Sequence, residues 1–211
     1  MPQNNDAASR ELEALCVLDA VICVHFAGAN LQRLLVDVLR EARLVLMVPQ
    51  EVHEEVLGKA RKYPGLGQRW LRLTGGEHVR ILPALQAATA SPRVVEVLEE
   101  VRGLQFEQAL RRPEDLGEAV VVAHGVEFQE RGHEVYVAID DQGGQASAAL
   151  YGLTVLTMEQ VLELAVAFGR FTTEGDLKAA YAKLRAYGDG LVEYHRTALP
   201  VAYKAWRSGG S

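Results

Sequence analysis

The sequence predicts a three-layer α/β/α fold with a mainly parallel central sheet, followed by a C-terminal helical extension. Two observations carry this. Short apolar runs without helical period, at 15–18, 44–48, 135–139 and 153–156, read as strands buried on both faces. Longer segments with apolar residues at three- and four-residue spacing stand between them, and strands alternating with helices make a parallel sheet covered on both sides.

The elements follow in order. Residues 1–12 are polar and predict a disordered N-terminus. Leu15–Leu18 is the first strand, ended by Asp19, and Leu31, Leu34, Leu35, Val38 and Leu39 mark the helix after it. Leu44–Val48 is the second strand. Pro49 suits the first turn of a helix, where its missing N–H costs nothing, and that helix runs from Gln50 to about Lys62. Residues 63–76 read as loop around a short helical piece at Trp70. Val79–Leu82 is a short or edge strand stopped by Pro83. Residues 92–110 read as one helix. Helix 116–131 has an apolar centre, AVVVA, which predicts burial nearly all round. Val135–Ile139 ends at Asp140-Asp141; a glycine turn, a helix over 145–151, a strand at Leu153–Leu156 and helices to about 205 complete the chain. The division expected is an α/β domain over 13–158 and a helical extension over 159–207 packed on it, with the final SGGS disordered.

At 211 residues the chain has room for one good core, and 49% hydrophobic with 24% charged residues is ordinary for a globular protein. A formal net charge of -6 argues against non-specific coating of nucleic acid. It leaves room for a nuclease, because active-site carboxylates are themselves acidic and their metal ions escape the formal count. Cys16 and Cys23, spaced by seven in what reads as one extended run, would face opposite ways, which predicts reduced buried thiols and a cytoplasmic location. The N-terminus lacks the basic flank and apolar stretch of a signal peptide, and Asp19 and His25 interrupt residues 14–29, so no membrane span is expected. Six histidines show no HxH, HExxH or Cys/His ligand spacing, and His25 and His124 read as packing residues.

Four acidic stations stand out: Asp19, Glu54-Glu55, Glu118 and Asp140-Asp141. Buried carboxylates are costly unless a cation meets them, and no neighbouring Lys or Arg answers Asp19 or the Asp140-Asp141 pair. A hard divalent ion, which takes oxygen ligands from distant parts of a chain, is the candidate cation. Side chains at the carboxyl ends of parallel strands gather on one edge of such a sheet. Each station has a plainer reading: Asp19 as a turn residue, Glu118 as the far end of a capping box begun by Asp115, and Glu54-Glu55 as a helix-dipole pair. Asp140 and Asp141 are adjacent and face opposite ways, so one ligates and the other caps. The stretch 59–72 carries Lys59, Arg61, Lys62, Arg69 and Arg72 without an acid, interleaved with Tyr63 and Trp70. That suits stacked bases on a single strand, or else a solvated helix end with Trp70 in the core.

LCVLDAVICVHF, VLMVPQEVHEEVLGKA, LGEAVVVAHGVEF and VYVAIDDQGGQASAALYGLTVLT, in that order across about 14–165, resemble the PIN domain, in the prokaryotic branch that includes VapC-type toxins. The resemblance implies an endoribonuclease dependent on Mg²⁺ or Mn²⁺, with RNA as substrate, an antitoxin-like protein partner and a homodimer. It implies Asp19, Glu55, Glu118 and Asp140 or Asp141 as metal ligands, with Asp19, Glu118 and Asp141 catalytic. Val21 stands where the family commonly has a small hydroxyl or amide residue, Gln145 where it often has a base, and 63–112 is longer than compact members need. These departures favour a second reading, a catalytically weakened PIN-like module that binds RNA or protein. A phosphorylated receiver domain shares the strand-end carboxylates but lacks a lysine placed after a late strand.

Overall fold

The computed structural model describes residues 14–187 and 191–209. Five strands, β1 (Ala14–Leu18), β2 (Leu44–Pro49), β3 (Val79–Leu82), β4 (Val135–Ala138) and β5 (Thr154–Leu156), form one sheet in the order β3-β2-β1-β4-β5. Every neighbouring pair is parallel; Cys16 stands opposite Leu46 on one side and Tyr136 on the other. The runs are apolar on both faces because helices cover both, giving the three layers.

The helices are α1 (Ala20–Gly28), α2 (Gln32–Glu41), α3 (Gln50–Lys59), α4 (Leu66–Thr74), α5 (Pro92–Arg102), α6 (Phe106–Arg111), α7 (Leu116–Glu130), α8 (Gln142–Leu150), α9 (Met158–Ala167), α10 (Glu174–Arg185) and α11 (Leu199–Gly209). α7 packs on β1, β2 and β4 and is buried nearly all round, as AVVVA requires. Leu162, Leu177, Tyr181, Leu184, Leu199 and Tyr203 of the last three helices join the same apolar core as the sheet. α9 bears on α2 and α11, and α10 on α1.

Four details depart from the sequence reading. The first apolar run is not one extended segment: β1 stops at Leu18 and α1 starts at Ala20. Cys23 is thus helical, and both cysteines are buried free thiols for a reason other than strand alternation. α1 hides from periodicity because all but one of its residues are buried, so no polar stripe marks it. The helix read over 92–110 breaks at Gly103, whose positive φ of 61° caps α5 before α6 begins. Trp70 lies on a nine-residue helix rather than a short piece in a loop. α8 begins at Gln142, which puts Gly143 and Gly144 in its first turn instead of before it. The expected disorder over 1–12 lies outside the described residues; of the final SGGS, Ser208 and Gly209 belong to α11 and the last two residues are also outside.

Candidate metal centre

From β1 the chain moves outward through β2 to β3, then returns to place β4 on the other side of β1. In an open parallel sheet the crevice at such a reversal, beyond the carboxyl ends of the two central strands, is the usual ligand site. Asp19 follows β1 directly, and Asp140-Asp141 follow β4. The Asp19 backbone N–H donates to Ala138 O at 3.0 Å, tying the two strand ends together.

Asp19 is 1% exposed and caps α1, its Oδ2 accepting the Val21 N–H at 3.1 Å. No Lys or Arg pairs with it among the described residues. Burial pushes its carboxyl up to about 6, opposed by the Val21 and Ala20 N–H groups; the charge of Glu55 raises it further and Lys59 lowers it.

Glu118 lies in the first turn of α7 and lines a cleft of about 590 Å³ together with Asp141. Burial is the main cause that lifts its carboxyl to about 7, followed by the charges of Asp19, Asp141, Asp115 and Glu55. The capping box is not formed: Asp115 holds the cap position at φ 52° with no side-chain bond. A Cβ on Gly144 would lie 2.7 Å from Ile139 Cγ2 and 3.1 Å from Glu118 Oε2, so the glycine leaves room for both side chains. On the other flank, Glu55 Oε2 would be 2.8 Å and Asp19 Oδ1 3.5 Å from a Cβ on Gly117. Glu55 also meets Lys59 Nζ through Oε1 at 2.7 Å. Glu54 is exposed and accepts from the Gln50 side chain at 2.9 Å.

The adjacent aspartates diverge. Asp141 caps α8, its Oδ1 taking the N–H of Gly143 at 2.6 Å and of Gly144 at 3.3 Å. Asp140 turns to the start of α9, where Oδ1 accepts the Met158 N–H at 3.0 Å, while its carbonyl accepts from Gln145. Glu118 therefore feels the charges of Asp19, Asp141, Asp115 and Glu55 at the crevice, and Asp19 feels that of Glu55. Among the described residues, no three His, Cys, Asp or Glu side chains stand close enough together to hold one ion as they are placed.

No protein-family model, curated protein or solved structure matches the chain. The α/β/α architecture is compatible with a hydrolase-type domain, but such folds host many chemistries and function has to be argued from the site.

The 59–72 stretch is largely spent on the fold. Trp70 is 0% exposed and its Nε1 donates to His53 Nδ1 at 3.1 Å, so the ring is not available to a base. Arg69 donates through Nε to Ala27 O at 2.5 Å and through Nη2 to both Gly28 O and Pro64 O, closing the C-terminal end of α1. Lys59 is the partner of Glu55; Arg61, Lys62 and Arg72 are exposed. The packed reading of Trp70 accounts for this stretch. His25 and His124 are buried, and burial lowers His124 to about 4.

The sequence reading missed Gly117, Gly144, Arg102, Arg112 and Ser147 around the crevice. The small residues flanking the acids, LGEA and DDQGG, were the available signal, since a carboxylate that must reach a crowded centre needs a neighbour without a side chain. No motif marks the two arginines.

Proposed function

We propose that this chain is a PIN-like endoribonuclease that cleaves RNA with Mg²⁺ or Mn²⁺ at the crevice between β1 and β4. The observation that carries the reading is the pairing of Asp19 and Glu118. Both are lifted well above ordinary carboxylates, each raised in part by other acids of the crevice, and neither has an ion pair among the described residues. The donor set, all carboxylate oxygen, fits a hard divalent cation.

Asp19 and Glu118 would hold the ion, with Asp141 and Glu55 at its flanks offering the oxygens that their own partners leave over, Oδ2 and Oε2. The ion would supply an activated water and neutralise charge on the scissile phosphate. The chain's part is positioning. The Val21 N–H fixes the Asp19 carboxylate, the Gly143 and Gly144 N–H groups fix Asp141, and Lys59 restrains Glu55. Glu118, without hydrogen-bond partners among the described residues, is the carboxylate free to take or release a proton. A homodimer and an antitoxin-like partner belong to the same reading on the resemblance alone.

One observation favours the non-catalytic alternative: Asp140, Asp141 and Glu55 already have partners, and no three acids stand at ligand separation. Incubating single-stranded RNA with the protein in Mn²⁺ and in EDTA distinguishes the two. Cleavage in Mn²⁺ alone supports the nuclease, and binding without cleavage supports the module.

A further inference from the structure

The segment 104–116, which overlaps the end of the long 63–112 stretch, lines two openings. Leu104, Arg112, Glu114 and Asp115 line the 590 Å³ cleft that holds Glu118 and Asp141, while Leu110, Pro113 and Leu116 line a second cleft of about 410 Å³ with Glu55. The first cleft has two arginines. Arg102 is committed to the backbone: its guanidinium donates to Glu114 O and, at 3.0 Å, to Arg112 O, bracing the turn that leads into α7. Arg112 differs. Its carbonyl is held by that brace, yet its guanidinium has no ion pair or hydrogen bond among the described residues and its side chain is exposed. Its neighbour Arg111 is paired with Glu107 at 3.4 Å.

The cleft therefore offers Glu118 and Asp141, one unspent guanidinium held on a braced turn whose Glu114 and Asp115 also line the opening, and the partly buried apolar side chains of Val101 and Leu104. A polyanion whose scissile phosphate sits at the acids needs a cation for a flanking phosphate. A guanidinium supplies two parallel donors to phosphate oxygens and stays charged at any working pH.

We propose that Arg112 is the phosphate-binding residue that seats single-stranded RNA in this cleft, the role that Arg69 and Trp70 cannot take. The inference rests on the nuclease reading, since it presumes that RNA reaches Glu118. Arg112 is a positioning residue: it grips a phosphate beside the reacting one.

Anisotropy of a labelled single-stranded RNA, titrated in Ca²⁺ at several salt concentrations, tests it with wild type, Arg112→Gln, Arg112→Lys and Arg111→Gln. The expected result is about tenfold weaker binding for Arg112→Gln and a log K against log salt slope shallower by about 0.7, the value of one lost single-strand phosphate contact. Arg112→Lys recovers the slope, and Arg111→Gln leaves both unchanged. Thermal melting of each variant confirms the fold, which an exposed side chain does not hold. If wild type cuts RNA in Mn²⁺ but Arg112→Gln binds as wild type does, or Arg111→Gln weakens binding as much, the inference is overturned and the nuclease reading stands. If wild type neither binds nor cuts RNA, both fall.

Discussion

Gly117 and Glu55 meet at the crevice: a Cβ on the glycine would stand 2.8 Å from Glu55 Oε2. The clash is with the end of a flexible side chain, so Gly117→Ala should fold. Alanine inside a helix is favoured over glycine by up to about 1 kcal/mol, which offsets the cost of displacing Glu55. We expect stability within about 1 kcal/mol of wild type and Mn²⁺ affinity lower by about tenfold, measured by thermal melting and calorimetric titration. Unchanged affinity would remove Glu55 from the centre.

The two raised carboxyls make metal-free stability depend on pH. The folded protein keeps protons on Asp19 up to about 6 and on Glu118 up to about 7, whereas the unfolded chain releases them near 3.8 and 4.5. Their contribution is therefore full at the acid end and is lost as pH rises through about 6 and then about 7. Melts in EDTA should show Glu118→Gln flattening the upper part of that decline, by about 1 kcal/mol once screening of a partly exposed carboxylate is allowed for. Parallel pH profiles for variant and wild type would contradict this.

Asp19→Asn separates stability from function. Asparagine caps a helix as well as aspartate does, and it removes a buried charge, so in EDTA at neutral pH the variant should melt a few degrees higher. Millimolar Mn²⁺ should raise the wild-type melting temperature by mass action, about 2.7 kcal/mol at a hundredfold excess over Kd, and leave Asp19→Asn unmoved. Equal metal-induced shifts in both proteins would exclude Asp19 as a ligand.

Trp70 should behave as core. Trp70→Ala is expected to cost about 3–5 kcal/mol. Trp70→Phe, losing the bond to His53, should cost about 1 kcal/mol with RNA affinity unchanged. Weaker RNA binding by a folded Trp70→Phe would return the ring to the substrate path.

The sheet was legible because β1, β2 and β4 are apolar on both faces and bounded by polar or turn residues. α1 was not, since total burial erases the polar stripe that makes helical period visible. The acids after β1 and β4 could be placed at one edge from strand order alone, but their division of labour could not. Asp140 turns away because Met158, eighteen residues on, presents an N–H to it. Arg69 and Trp70 looked like a nucleic-acid strip because cations beside aromatics have the same composition whether they face solvent or close a helix end. The partners that decide, Ala27 O and His53, come from other elements.

The central claim is that Asp19 and Glu118 form one metal-dependent nuclease centre. Cleavage of single-stranded RNA in Mn²⁺ by wild type, Asp19→Asn and Glu118→Gln tests it most directly. The account predicts Mn²⁺-dependent cleavage by wild type and a loss of at least about a hundredfold in each variant, with all three proteins folded. Cleavage that persists in either variant, or a folded wild type that leaves RNA intact in Mn²⁺, would contradict it.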